Sequence, residues 1–203
     1  MTQVVLASNN AKKLAELRRI LEPLVPGIEV LGLADVVSYP EPPETEATFE
    51  GNALLKARAA LAATGLPALA DDSGLCVDAL NGMPGVLSAR WSGVAKADRG
   101  DAANNALLLN QLGDVPDERR SARFVCAMVL CATDGTELVQ LGEMPGRILR
   151  AEQGEGGFGY DPLFAATGYD VSTAELAPVD KDAISHRGRA LTAMAPAVVA
   201  ALT

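Results

Sequence analysis

A chain of 203 residues, 49% hydrophobic and 21% charged, fits one sizeable domain or two lobes sharing a core. Its net charge of −9 excludes the broad basic stripe that tracks nucleic-acid phosphates, so an anionic ligand needs a local basic pocket. A single histidine, His186, excludes metal sites built from several imidazoles and leaves oxygen ligands for any bound ion.

In chain order, Val4 to Ser8 is a short apolar run. Leu14, Leu17 and Leu21 then recur at helical spacing. Asn9 or Asn10 can cap this helix, and Pro23 and Pro26 mark its end. IEVLGL follows as a strand, so the chain opens β-α-β, and YPEPPETEAT is a stiff acidic loop. Thr48 caps a second helix that stops at Gly65 and Pro67. LPALADDSGL reads as a strand closed by Asp71 and Asp72, although by itself an Asp-Ser-Gly ending favours a turn. NGMPG is turn chemistry, and DAANNALLLNQLG is a helix ending at Gly113. Residues 122–150 read as strand, Asp-Gly hairpin, strand, turn and strand. The glycine-rich loop GEGGFGYDP comes next, Ser172 and Glu175 are spaced as a capping box, and a final helix starts at SHRGR.

No internal repeat and no linker separates independent domains. Helices alternate with strands in the first half and a meander fills the second, which suits an α/β fold: a mixed β-sheet flanked by helices, in two lobes of a single domain over 1–203. Aromatics make up only 4%, so Ala, Leu and Val must build the core. Cys76, Cys126 and Cys131 are an odd count without framework spacing, and the last two sit in an apolar run; reduced thiols in a cytoplasmic protein are expected. MTQVVLASNN has neither the basic nor the apolar region of a signal peptide, and ALTAMAPAVVAAL is too short to span a membrane.

Two motifs are decoys. Gly154, Gly156 and Gly159 satisfy G-x-G-x-x-G, but YDP follows where a dinucleotide-binding helix should begin. TDGTE has Ala132 where a phosphatase would carry its nucleophilic aspartate, and Asp134-Gly135 is a hairpin turn.

Four constellations carry chemistry. Ser8, Asn9, Asn10, Ala11, Lys12 and Lys13 lie between a strand and a helix, where free backbone donors and the helix dipole favour an anion. Phe158 stands among glycines and is followed by Gly159, Tyr160 and Asp161; an exposed ring there can stack on a base. Lys181, Ser185, His186 and Arg187 share a helix entrance, and His and Arg side by side can both donate to one carbonyl oxygen. One of Glu41, Glu44 and Glu46 can join Asp72 around a hard ion such as Mg²⁺. Each has a plain structural alternative: a capped surface helix, an inward-folded loop, or a solvated acidic run.

In this order SNNAKK, PETEATFEGNALLKARAA, LADDSGLCVDALNGMPGVLSARWSG, GGFGYDPLF and KDAISHRGRAL resemble the inosine triphosphate pyrophosphatase family from residue 8 to residue 191. The resemblance implies an elongated α/β fold with an active-site cleft between two lobes, a homodimer, Mg²⁺ dependence, and hydrolysis of ITP, dITP and XTP to monophosphate and pyrophosphate. By motif position, Ser8 to Lys13 would hold the triphosphate and Asp72 would be general base and metal ligand, with Ser73 beside the substrate. Phe158 to Asp161, Lys181, His186 and Arg187 would hold the base and sugar. Gly51 departs from the family, which often has Glu before the Asn of the second helix; that leaves Glu44 as the preferred second metal ligand. Asp71 is read as orienting its neighbour, and the sequence leaves open which aspartate touches metal. The alternatives are a pyrophosphatase for other modified triphosphates and a non-catalytic nucleotide sensor.

Overall fold

Strand β1 (Thr2–Leu6) pairs in parallel with β2 (Ile28–Leu31) and with β3 (Ala68–Val77). The remaining strands are β4 (Ser121–Cys131), β5 (Glu137–Ile148) and β6 (Phe164–Ala166), and β5 and β6 are antiparallel. Together they form a mixed six-stranded sheet in the order β2-β1-β3-β4-β5-β6. The helices are α1 (Ala11–Leu24), α2 (Phe49–Thr64), α3 (Gly100–Gln111), α4 (Pro178–Ile184) and α5 (His186–Leu202). This computed structural model describes residues 2–93 and 100–202.

The chain divides into two compact units. The first comprises Met1–Asp72, Cys126–Gly142 and His186–Thr203, and the second Ser73–Val125 and Glu143–Ser185. In the first unit the period-two alternation of the strands feeds two apolar layers. Val4, Leu6, Leu69, Cys126, Met128 and Leu130 face one layer with Leu17 and Leu21 of α1 and Leu191, Met194 and Val198 of α5. Val5, Ala68, Ala70, Ala127 and Val129 face the other, against Ala53, Ala57 and Ala60 of α2. Those alanines recur at i, i+4 and i+7, so α2 presents its smallest side chains to the sheet. The second unit packs Leu75, Val77, Leu108, Leu112, Phe124, Leu163 and Phe164, with Phe124 and Phe164 edge-on at 4.7 Å between centroids.

Helix ends follow the sequence signals. Asn10 Oδ1 accepts from the Lys12 and Lys13 amides, Thr48 Oγ1 accepts from Gly51, and Gly65 closes α2 in the left-handed region at φ 67°. Pro23 lies inside α1, which runs on to Leu24.

Three expectations are corrected. Asp71 and Asp72 do not close β3; the strand continues through them to Val77. Residues 144–146 do not turn, and β5 runs unbroken to Ile148. Gly146 there answers a close approach, since a Cβ would stand 2.2 Å from the Ala165 carbonyl oxygen of β6. Ser172 and Glu175 form only half of a capping box: the Glu175 carboxylate accepts from the Ser172 amide, but the Ser172 hydroxyl donates to the Gln153 carbonyl and the Glu175 amide to the Ser172 carbonyl, which closes a turn where no helix begins.

Candidate active site

Adjacent residues on a strand point to opposite faces, and β3 uses this to separate its two aspartates. Asp71 shares the face of Leu69, toward α1 and α5; Asp72 shares the face of Ala68 and Ala70, toward α2. Each therefore has its own cations.

Asp71, 2% exposed, receives Lys13 Nζ of α1 at 2.9 Å on Oδ2. The same oxygen accepts from Nε and Nη2 of Arg187 of α5, both at 3.2 Å. Arg187 Nη1 donates to Glu16 of α1, so two helices and a strand meet on one buried network. Burial by itself would raise the Asp71 carboxyl, but Lys13, Arg187 and Lys56 outweigh it and hold the group far below the usual carboxylate range. Arg187 is raised, because Asp71 and Glu16 outweigh the burial that would lower it.

On the other face, Asp72 Oδ2 accepts from Asn52 Nδ2 at 3.1 Å and Oδ1 lies 3.3 Å from Lys56 Nζ. Lys56 also reaches Glu44 Oε1 at 3.1 Å, so one buried ammonium holds two carboxylates. Asn52 is fully buried, and its Oδ1 accepts from the Glu46 backbone at 2.9 Å, tying the acidic loop to the same site. Gly51 is explained here, because a Cβ would stand 2.7 Å from that of Glu46. Asp72 is raised, first by burial and then by Glu44, against Lys56 and Asn52. A carboxylate shifted upward is a better proton acceptor near neutrality.

The expected phosphate turn stands at the start of α1, but its Ser8, Asn10, Lys12 and Lys13 amides are engaged. Ser8 Oγ accepts from the Asn10 amide at 3.2 Å, and Asn10 Oδ1 takes those of Lys12 and Lys13. Asn9 donates to Glu41 at 2.7 Å, and Ala11 and Lys12 are exposed. A phosphate at this turn would compete with the Asn10 cap.

In the second unit, Asp161 organises the glycine loop. Its Oδ2 accepts from the Phe158 amide at 2.8 Å and from Lys181 Nζ at 2.6 Å, and its Oδ1 from Thr173 at 2.9 Å. Gly157 has φ +70°, and a Cβ there would stand 2.1 Å from Asp161 Oδ2, so only glycine fits. Lys181 Nζ lies 5.4 Å from the centre of the Phe158 ring, a cation–π distance. Phe158 and Gly159 are half-buried, whereas the Tyr160 ring folds into the core and its hydroxyl donates to the Ser88 carbonyl at 2.9 Å. Ser73 is half-buried in β3.

Two expectations about the SHRGR segment change. Lys181, Ser185, His186 and Arg187 do not share one helix entrance: Lys181 lies in α4, Ser185 caps the end of that helix, and His186 and Arg187 open α5. Lys181 serves the second unit's loop, while the Arg187 guanidinium turns to the carboxylates of Asp71 and Glu16 instead of standing beside His186 as a second donor. Buried charge explains this, since an arginine at 2% exposure needs anions to face. Lys56, Asn52 and Glu16 were missed. Lys56 and Asn52 sit four residues apart in the first half of α2, a polar pair on the helix face that packs against the sheet, and that was the available signal.

The donor set suits a hard divalent ion: the Glu44 and Asp72 oxygens already converge on one cation, and Mg²⁺ needs one or two carboxylates plus ligand phosphates. Among the described residues no group of three or more His, Cys, Asp or Glu side chains forms a complete metal cage.

Residues 4–197 match the model of the Ham1 family. A protein of Nocardia farcinica called dITP/XTP pyrophosphatase is 65% identical over 201 residues, covering 98% of this chain and 96% of that one. The crystal structure of a nucleoside-triphosphatase / dITP/XTP pyrophosphatase from Mycobacterium abscessus is 56% identical, with a TM-score of 0.77 over 96% of this chain and 99% of that one. A HAM1 protein structure from Coxiella burnetii gives a TM-score of 0.86 at 41% identity, over 99% and 100% of the two chains.

Proposed function

Because the chain belongs to the Ham1 family, we propose that it is a nucleoside triphosphate pyrophosphatase that hydrolyses dITP, ITP and XTP to monophosphate and pyrophosphate, clearing deaminated purines from the nucleotide pool. The observation that carries this reading is the β3 doublet, with Asp71 neutralised on one face and Asp72 raised by burial on the other, opposite Glu44.

Asp72 orients a water toward the α-phosphorus and takes its proton, and Asn52 fixes the carboxylate through Oδ2. Lys12, Lys13 and Lys56 bring positive charge to the phosphates, with Ser8 and Asn10 as neutral donors. Glu44 and Asp72 would hold Mg²⁺, which supplies charge neutralisation on phosphate oxygens. Asp71 and Arg187 act through position: they lock β3 to α1 and α5 and so aim Asp72. Phe158 to Asp161 and Lys181 hold the base end, with Ser73 beside the substrate.

His186 donates to the 6-oxo group of hypoxanthine or xanthine, and the 6-amino group of adenine would leave that donor unmatched. A homodimer in the cytoplasm completes the reading. No helix among the described residues is long and apolar enough to cross a membrane.

The test is pyrophosphate release from ITP, XTP, dUTP, GTP and ATP, with Mg²⁺ and after chelation. ITP and XTP should dominate, and chelation should abolish turnover. Preference for dUTP would move the chain to pyrimidine substrates, and binding without release would make it a sensor.

A further inference from the structure

Helix α3 holds the glycine loop by its backbone. Asp101 and Asn105 are four residues apart, on one helix face, and both reach Gly159. Asp101 Oδ2 accepts from the Gly159 amide at 3.0 Å, and Asn105 Nδ2 donates to the Gly159 carbonyl at 3.2 Å. One bond fixes the peptide plane between Phe158 and Gly159, and the other fixes the plane between Gly159 and Tyr160. Gly159 itself has φ +62°, a conformation that glycine adopts freely and that external bonds must select. The next residue is tied to the same helix: the Ser88 carbonyl accepts both the Tyr160 hydroxyl and Asn104 Nδ2, at 2.9 and 3.2 Å.

Asn105 is a poor device for stability alone. It is 4% exposed, and its Oδ1 is buried with no hydrogen-bond partner among the described residues. A buried acceptor left so carries a desolvation cost that leucine would avoid. What asparagine offers and leucine lacks is the N–H on the Gly159 carbonyl.

We infer that Asp101 and Asn105 are positioning residues for base selection, setting the orientation of Phe158 through the two peptide groups of Gly159. The inference rests on the proposal that Phe158 to Asp161 hold the base. In the chain of effects, α3 selects the loop conformation, the loop aims the ring, and the stacked ring holds the base in register for the donor that reads its 6-position.

The experiment measures pyrophosphate release from ITP and ATP for Asp101→Ala, Asp101→Asn, Asn105→Leu and Phe158→Ala, with urea midpoints for each. Asp101→Ala and Asn105→Leu should raise KM for ITP roughly three- to tenfold, the effect of one lost hydrogen bond, with kcat little changed. Both should narrow the ITP to ATP ratio of kcat/KM. Asp101→Asn keeps an acceptor oxygen and should restore the wild-type values. If Phe158→Ala raises KM while Asp101→Ala leaves KM and the ratio at wild type, the positioning role is overturned and the reading of the loop survives. If Phe158→Ala also leaves KM unchanged, both fall.

Discussion

Asp71→Asn should cost stability more than any direct step of chemistry. The wild-type carboxylate receives Lys13 at 2.9 Å and two Arg187 nitrogens at 3.2 Å. Breaking a buried pair by removing one partner costs about 3–5 kcal/mol, because the other charge is left uncompensated. Here the lower end applies. Arg187 keeps Glu16, and the Lys13 side chain, 17% exposed, can turn toward water.

A loss of about 3 kcal/mol lowers the melting temperature of a protein of this size by roughly 6–12 °C. The gap depends on pH in a defined direction. Asp71 is held below the ordinary 3.8, so its stabilisation is present above that value and is lost as pH falls below it, where the unfolded chain takes up a proton the folded one refuses. Urea and thermal melts of both proteins at neutral and acid pH read this directly. A variant with the wild-type midpoint at neutral pH would refute the assignment of Asp71 to the fold.

Asp72→Asn should remain closer to wild type in stability, because Lys56 keeps Glu44, while kcat falls by about 10²–10⁴; full turnover would remove Asp72 from the chemistry. Lys56→Ala should lower kcat by about 10² through the loss of positive charge between the carboxylates and the phosphates, read by pyrophosphate release at saturating ITP. Gly142→Ala should destabilise by about 3 kcal/mol or more, since its Cβ would stand 2.0 Å from the His186 carbonyl oxygen and 2.7 Å from the Ala190 nitrogen, backbone atoms of α5 that cannot swing away. A wild-type melting temperature there would show that β5 and α5 pack more loosely than described.

Local signals were legible wherever one residue decides the backbone. Asn10, Thr48 and Gly65 end their helices as their types require, and Asp134-Gly135 turns the β4–β5 hairpin. The doublet was legible as unusual, but its solution was not. Alternation along a strand gives opposite faces, yet the aspartates looked like a strand end, so their separation did not follow. Only tertiary packing brings Lys56 of α2 to Asp72 and Arg187 to Asp71, across 116 residues in the second case. The MPG segment misled for a related reason: Pro and Gly usually break strands, and here Gly146 makes room for β6. Arg187 misled through its neighbour, since adjacency to His186 in sequence says nothing of which anions a helix turns toward it.

Hydrolysis of dITP in heavy-oxygen water, with products analysed by mass, tests the proposed attack at the α-phosphorus most directly. The label should enter dIMP alone and leave the pyrophosphate unlabelled. Label in the pyrophosphate, or release of inorganic phosphate and dIDP, would contradict it.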